Sequence, residues 1–207
     1  MKATEGADRT DLLIATTNPN KLREIRPLLA GIPWDLIGLT DINPIPEPDE
    51  SAATFWENAR IKALAYATES GLIAVAEDSG LIIDAMNGEP GVLSARFMGA
   101  STPYPERFKE IFRRIEGRDR AARFVTALAV ARGRTILFET ETVVEGEIAH
   151  APSGAHGFGY DPIFWYPPFK CTTAQLPDRE KAIVSHRARA FRDLRRHLAA
   201  RTDLSAK

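Results

Sequence analysis

The chain has 207 residues, of which 44% are hydrophobic and 27% are charged, and its formal net charge at pH 7 is -1. A chain of this length and composition is typical of a folded protein with a substantial apolar core. The near-zero charge argues against general nucleic-acid binding, which usually requires a strong basic excess. The single cysteine excludes an internal disulfide and a metal site built from several cysteines.

The chain shows no membrane or export signal. No apolar run approaches the roughly 20 residues that cross a bilayer, and the N-terminus lacks the basic-then-apolar pattern of a secretion signal. We therefore expect a cytoplasmic protein without a membrane partner. No low-complexity linker divides the chain, so a single domain is predicted over residues 11–201, with residues 1–10 as a disordered lead-in.

The first predicted element is a short apolar strand over residues 12–15. It leads into the segment 16–21, in which Asn18 is a good helix N-cap and Pro19 a good first helical residue. Small polar side chains and Lys21 stand where the backbone N–H groups of a helix start point outward, which favours anion binding. The glycines of a Walker loop are missing, so the alternative is a well-capped helix with a solvated lysine.

A proline-rich loop over residues 42–48 comes next. It is acidic at its end because of three carboxylates, Glu47, Asp49 and Glu50. Together with a second acidic pair further along the chain, these residues could converge on one magnesium ion, which accepts one or two carboxylates with waters completing its shell. For this loop alone, a solvated run of charges is favoured.

A capping box at residues 54–57 predicts a helix that runs to about Glu69. Asn58 and Lys62 are four residues apart and therefore share one face of this helix. An exposed face is the commoner outcome for such a pair, and a polar groove is the alternative.

The stretch 74–83 carries the strongest chemical signal of the chain. An apolar strand ends in Glu77 and Asp78, whose carboxylates can hold a hard cation or accept a proton from water. The alternative is an ordinary surface turn at Ser79 and Gly80, followed by a possible partner strand over residues 81–85.

The second half predicts a tight turn at Asn87-Gly88, a helix that starts near Ser101, a β-hairpin and a final helix. The hairpin joins strands over residues 123–131 and 135–144. The final helix covers residues 185–200 and is expected to expose three arginines, Arg192, Arg195 and Arg196. Strands and helices alternate early and a hairpin lies in the middle, so we predict an α/β protein with a mixed sheet.

Two further segments carry residues suited to nucleotide binding. In the segment 157–164, glycines permit close backbone approach, aromatic rings can stack on a base, and Asp161 can accept a hydrogen bond from a ring N–H. A packed turn with buried aromatic rings is the alternative. Lys181 can contact phosphate as a point charge, and Arg187 offers planar donors to a carbonyl or a phosphate.

Together these segments closely resemble the inosine/xanthosine triphosphate pyrophosphatases, also called dITP/XTP pyrophosphatases, over about residues 12–198. The resemblance rests on motifs in this order: Thr16-x-Asn18-x-x-Lys21, Glu57-Asn58-Ala59 with Lys62-Ala63, Glu77-Asp78-Ser79-Gly80-Leu81, Pro90-Gly91, Ser94-Ala95-Arg96, Gly157-Phe158-Gly159-Tyr160-Asp161-Pro162, and Glu180-Lys181 with Ser185-His186-Arg187. Thr17 and Asn20 depart from it, because family members often carry glycine or another small residue there.

The resemblance implies an elongated mixed β-sheet flanked by helices, with two lobes around an active-site cleft, and a homodimer. It also implies the activity: Mg²⁺-dependent hydrolysis of non-standard purine nucleoside triphosphates (ITP, dITP and XTP) to the monophosphate and pyrophosphate.

The resemblance implies roles for individual residues as well. Asp78 would be the general base and a magnesium ligand, and Glu50 is the best match for the second metal ligand, with Asp49 and Glu77 left open. Lys62 would help to hold the triphosphate. The implied substrate-binding residues are Thr16, Thr17, Asn18, Pro19, Asn20, Lys21, Ser79, Phe158, Gly159, Tyr160, Asp161, Lys181, His186 and Arg187. Arg187 is expected to donate to the 6-keto oxygen of the base, which would disfavour the 6-amino group of adenine.

Two alternatives remain open. A related pyrophosphatase with the same architecture would act on pyrimidine or other modified nucleoside triphosphates. The basic C-terminal helix would instead suit a nucleic-acid-binding module without hydrolytic activity, although the net charge counts against it.

Overall fold

The computed structural model describes residues 10–200 of the chain. Within them, seven strands form one sheet: β1 (Thr10–Ile14), β2 (Trp34–Gly38), β3 (Ile73–Ile83), β4 (Ala121–Arg132), β5 (Thr135–Ile148), β6 (Phe164–Tyr166) and β7 (Cys171–Thr172). The α-helices are α1 (Pro19–Leu28), α2 (Phe55–Ser70), α3 (Tyr104–Arg114), α4 (Asp178–Val184) and α5 (His186–Ala200). The predicted α/β class is confirmed. Strand β1 begins at Thr10, and the rest of the predicted lead-in lies outside the described residues.

The strand order across the sheet is β2-β1-β3-β4-β5-β6-β7. Strand β1 pairs in parallel with β2 and β3, whereas the pairs from β3 to β7 are antiparallel. The sheet is therefore mixed, as predicted, and the hairpin of β4 and β5 is confirmed. Strands β2, β6 and β7 and helix α4 were not predicted, and β6, β7 and α4 are too short to show a clear hydrophobic period.

Strand β3 is continuous and pairs with β4 along its whole length, including Ser79 and Gly80. The alternative of a surface turn at these two residues is therefore wrong, as are the strand end at Asp78 and the separate partner strand over residues 81–85. Gly80 serves close packing instead. A Cβ atom there would lie 2.4 Å from Ser94 Oγ and 2.6 Å from the carbonyl oxygen of Gly91.

The predicted starts of α1 and α2 and the tight turn are confirmed, whereas α3 begins at Tyr104 instead of near Ser101. The side chain of Asn18 caps α1, and Thr54 Oγ1 accepts a hydrogen bond from the Glu57 amide at the start of α2. Helix α2 ends at Gly71, whose φ of 72° places it in the left-handed region that favours glycine. Asn87 also has a positive φ, in the turn predicted at Asn87-Gly88.

The arginines of α5 differ in part from the expectation of a solvated face. Arg192 donates to carbonyl groups in the last turn of α4, and Arg195 donates to carbonyl groups at the end of α1. The last carbonyls of a helix lack partners within that helix, so these two side chains serve as caps. Arg196, whose side chain is 77% exposed, fits the prediction.

The two faces of the sheet carry separate apolar clusters. Leu12 and Ile14 of β1 pack with residues of α1 and α5, whereas Leu13 and Ala15 pack with residues of α2 on the opposite face. A third cluster forms around α3 and β6. The central strands are thus held from both sides, and the division of the domain into two lobes stays a prediction.

Among residues 10–200, no helix has both the length and the apolar composition that a membrane span requires.

Candidate active site

A cavity of about 230 Å³ lies beside the middle of β3. Its walls come from the segment after β1, from α2, from the 3-10 turn Gly91–Arg96, from the glycine-rich segment before β6, and from α4 and α5. The predicted site residues line this cavity, including Asp78 and Glu50, with the exception of Pro19 and Asn20. The fold therefore brings together residues that are more than 150 positions apart in the chain.

The carboxylate of Asp78 is held from the side of α2. Asn58 Nδ2 donates to its Oδ2 over 3.1 Å, and Lys62 Nζ lies 3.4 Å from its Oδ1. The same Lys62 Nζ donates to Glu50 Oε1 over 3.0 Å. Asn58 and Lys62 are buried, so the expectation of an exposed helix face is wrong. Packing of α2 against β3 and β4 turns this face towards the cavity.

Burial raises the pKa of Asp78, and the nearby Glu50 carboxylate raises it further, whereas Lys62 opposes the shift. The net effect is a pKa above that of an ordinary aspartate. A carboxylate with a raised pKa is a stronger proton acceptor once it is ionised. The environment of Asp78 therefore suits general-base chemistry.

The carboxylates of the acidic loop differ in their exposure. Glu47 and Asp49 are exposed, whereas Glu50 is part-buried and contacts Lys62. The expectation of a solvated charge run therefore fits Glu47 and Asp49 and is wrong for Glu50. Glu50 and Asp78 contact one ammonium group between them, so their oxygens lie close enough to share a single cation.

The helix start after β1 differs from the expected backbone anion site. Asn18 Oδ1 accepts from the amides of Asn20 and Lys21, and Thr16 Oγ1 accepts from the amide of Asn18. Because these three amides already have partners, anion binding here depends on the side chains. Lys21 is not simply solvated, as the alternative expected, since its Nζ lies 3.2 Å from Glu77 Oε1.

Six charged side chains of alternating sign form a continuous chain of ion pairs beside the cavity: Lys21, Glu77, Arg187, Glu24, Lys181 and Asp161. The nitrogen-oxygen distances between successive members are 3.2, 2.8, 2.6, 2.7 and 2.6 Å. This ion-pair chain connects the segment after β1 with the glycine-rich segment. It fixes the orientation of the cationic side chains before a ligand binds.

The ion-pair chain sets the protonation states of its members. Burial alone would raise the pKa of Glu77, but Arg187 and Lys21 outweigh burial and lower that pKa to about 2. Burial would lower the pKa of Lys181, but Asp161 and Glu24 outweigh it and raise the pKa. Both groups are therefore charged at neutral pH. His186 is not a member of the ion-pair chain. Its pKa lies well below the usual value because it is buried and next to Arg187, so it is neutral.

Part of the cavity wall is an aromatic surface. Lys181 Nζ and Arg187 Cζ lie 5.2 and 5.4 Å from the ring centroid of Phe158. The His186 ring stacks on Phe124 with a centroid distance of 4.6 Å and an interplanar angle of 18°. Flat rings beside planar and charged donors are suited to binding a nucleobase.

Gly157 allows Asp161 to reach Lys181. Its φ is 72°, and a Cβ atom there would lie 2.2 Å from Asp161 Oδ2 and 2.8 Å from Lys181 Nζ. We expect Gly157→Ala to lower the free energy of unfolding by about 1–3 kcal/mol more than Gly133→Ala, because only the former disturbs a buried ion pair. Gly133 is a matched control with a φ of 53° and no atom within 4 Å. Urea denaturation of both variants measures the difference, and equal values would contradict this role of Gly157.

Comparison with known proteins connects this geometry to a family. The sequence model of the Ham1 family matches residues 12–197. The chain belongs to the Ham1 family. It is 41% identical over 184 residues to a dITP/XTP pyrophosphatase of Exiguobacterium sp., covering 88% of this chain and 94% of that protein. It is 45% identical over 184 residues to a dITP/XTP pyrophosphatase of Gloeobacter violaceus, covering 88% and 91%.

A solved structure shows that the fold, too, is that of the Ham1 family. The HAM1 protein from Coxiella burnetii superposes with a TM-score of 0.86 and 37% sequence identity, covering 93% of this chain and all of that one. The mixed sheet flanked by helices is therefore the Ham1 fold.

One charged residue of the Ham1 site was not predicted from the sequence. Glu24 joins Lys181 and Arg187 in the ion-pair chain, yet it was not singled out. The available signal was its position three residues after Lys21, which places both on neighbouring turns of one face of α1. A single acidic residue on an amphipathic helix is too common for this spacing to identify a site.

Proposed function

We propose that this Ham1 protein hydrolyses non-standard purine nucleoside triphosphates (dITP, XTP and ITP) to the monophosphate and pyrophosphate. The observation that carries this proposal is the cavity itself. Its wall combines a buried carboxylate of raised pKa, Asp78, with the cationic side chains Lys21 and Lys62 and with an aromatic, donor-rich surface around Phe158. The names of the relatives, dITP/XTP pyrophosphatases, support the same activity.

In the proposed reaction, Asp78 accepts a proton from a water molecule whose oxygen forms a bond with the α-phosphorus. The bond between the α-phosphorus and the bridging oxygen breaks, and pyrophosphate leaves with the electron pair. Asn58 and Lys62 fix the two oxygens of Asp78, so the base is oriented before substrate binds. Lys21 and Lys62 offset the negative charge of the phosphates, which is the main requirement of phosphoryl chemistry.

Glu50 and Asp78 are the residues that would hold Mg²⁺. The fit rests on Lys62, whose ammonium group already bridges these two carboxylates as a cation would. Magnesium accepts one or two carboxylates with waters completing its shell, so two carboxylates would suffice to hold it. When bound, Mg²⁺ would supply charge neutralisation at the phosphates. Asp49 is exposed and is therefore a weaker candidate. Glu77 stays open, because Arg187 and Lys21 contact its Oε1 whereas its buried Oε2 has no hydrogen-bond partner among the described residues.

We propose that the guanidinium group of Arg187 recognises the purine by donating a hydrogen bond to its 6-keto oxygen. Glu77, Glu24 and Ser79 each bind one of its nitrogen atoms, which fixes the plane of the guanidinium group and leaves two of its five N–H donors for a ligand. A 6-amino group would place a donor against a donor and leave buried groups unpaired. Asp161, Lys181, Phe158 and the neutral His186 would complete the base pocket.

Three further features belong to the proposal. The protein would act in the cytoplasm, as a homodimer and without a nucleic-acid partner. The single cysteine and the near-neutral charge support the first and the last. The dimer rests on the family resemblance.

The proposed function is tested by measuring pyrophosphate release from a panel of nucleoside triphosphates in the presence of Mg²⁺. We expect dITP, XTP and ITP to exceed dATP and the pyrimidine triphosphates in kcat/KM. Within this panel, Arg187→Ala should reduce the dITP rate by at least about tenfold more than the dATP rate. Faster hydrolysis of a pyrimidine triphosphate would favour the related pyrophosphatase. No hydrolysis, together with oligonucleotide binding of steep salt dependence, would favour the nucleic-acid-binding module.

A further inference from the structure

The motif Ser94-Ala95-Arg96 lies in the cavity wall, yet the proposed function gives Arg96 no role. We infer that Arg96 is a substrate-binding residue for the phosphate tail and holds the pyrophosphate that leaves. This inference rests on the proposed function, since it assigns a residue to the anionic part of the same substrate.

The first observation is the charge of Arg96 compared with the other cations of the cavity wall. Lys21, Lys62, Lys181 and Arg187 each lie within 4.0 Å of at least one carboxylate oxygen. Among residues 10–200, no carboxylate lies within that distance of the Arg96 guanidinium group. Arg96 is therefore the cation whose charge is least compensated by the protein, and an anionic ligand would supply the missing partner.

The second observation is where the guanidinium group lies. Arg96 Nη2 donates to the backbone carbonyl of Glu50 over 2.8 Å. The side chain of Glu50 contacts Lys62, and Lys62 contacts Asp78. Arg96 therefore lies next to the backbone of the proposed metal ligand, whose side chain is connected through Lys62 to the proposed general base. Lys181 and Arg187, which are proposed to bind the nucleobase, lie against Phe158 instead.

The third observation is that the backbone carrying Arg96 is held rigidly. Arg107 is 2% exposed and donates to four carbonyl groups of this segment, those of Ser94, Ala95, Gly99 and Thr102, over 3.0 to 3.1 Å. Tyr160 Oη also donates to the Ser94 carbonyl, over 2.9 Å. A cation on a fixed backbone loses less conformational entropy when it binds an anion. The planar donors of arginine match phosphate oxygens in pairs.

The test separates ligand binding from a purely structural role in which Arg96 only holds the loop of Glu50. Arg96→Gln removes the charge but keeps an N–H donor for the Glu50 carbonyl. Arg113→Gln is the matched control, because Arg113 is 69% exposed on α3 and pairs with Glu110 away from the cavity. The probes are inorganic pyrophosphate and inosine monophosphate, each titrated by calorimetry with Mg²⁺ present, and thermal unfolding confirms that each variant is folded.

We expect Arg96→Gln to raise the Kd of pyrophosphate at least about tenfold, which is the effect of losing one charge-assisted contact. The Kd of inosine monophosphate should stay within about twofold of the wild type, and Arg113→Gln should change neither value. An unchanged pyrophosphate Kd in Arg96→Gln would overturn the inference. So would an equal loss for both probes, or a wild-type protein that does not bind pyrophosphate.

The same experiment distinguishes this inference from the proposed function. If the wild type hydrolyses dITP but Arg96→Gln binds pyrophosphate normally, the inference alone is wrong. If the wild type hydrolyses no nucleoside triphosphate but binds pyrophosphate through Arg96, the proposed function is wrong and Arg96 is still an anion-binding residue.

Discussion

Asp78→Asn is expected to reduce pyrophosphate release from dITP by on the order of 10²–10⁴-fold, because an amide cannot accept the proton of the attacking water. The change is nearly isosteric, and Asn58 and Lys62 remain in place on either side. Turnover is measured by pyrophosphate release at saturating dITP and Mg²⁺. The control is Asp84→Asn, which lies just after the same strand β3 but pairs with Arg123 and does not line the cavity.

The control variant should retain turnover close to that of the wild type. Because Asp78 is also a proposed magnesium ligand, the two variants should be compared over a range of Mg²⁺ concentrations. A loss that high Mg²⁺ restores would assign Asp78 to metal binding alone. Unchanged turnover in Asp78→Asn would remove this residue from the mechanism.

Glu77→Gln is expected to lower the free energy of unfolding by about 3–5 kcal/mol at pH 7, because it removes the carboxylate partner of Lys21 and one of the two carboxylate partners of buried Arg187. The pKa of Glu77 is lowered to about 2 from a reference of 4.5. A carboxyl group with a lowered pKa stabilises the folded state above its unfolded pKa, and this contribution is lost as pH falls through the folded value. The difference between wild type and variant should therefore be full above about pH 5 and shrink between 4.5 and about 2.

Urea denaturation at pH 7 and at pH 3 measures this difference. Glu110→Gln is the control, because Glu110 also has a pKa of about 2, owing to hydrogen bonds from Arg113 and Arg114, but lies at the surface. Exposed ion pairs contribute little to stability, so this variant should unfold close to the wild type. An equal Glu77→Gln effect at both pH values would show that the lost stability does not come from the charge of Glu77.

Short sequence patterns correctly predicted several helix starts, a turn and a hairpin of the fold. The N-cap at Asn18, the capping box at Thr54, the turn at Asn87-Gly88 and the hairpin of β4 and β5 are read from neighbouring residues, and each is confirmed. The alternative of a turn at Ser79 and Gly80 is wrong. Glycine can either permit a turn or permit close packing, and the sequence alone does not distinguish the two. In this structure Gly80 permits the close approach of Ser94 rather than a change of direction.

The sequence by itself determined the family motifs and most of the candidate site, because the resemblance depends on residue types in a fixed order. Tertiary structure alone decided how the charges are paired. Glu24 joins Lys181 and Arg187 across more than 150 residues. Lys62 turns inward to Glu50 and Asp78, and Arg96 lacks a carboxylate partner among residues 10–200. Charge pairing depends on which side chains meet in space, and a helix face or a loop acquires its neighbours only when the sheet and the helices pack together.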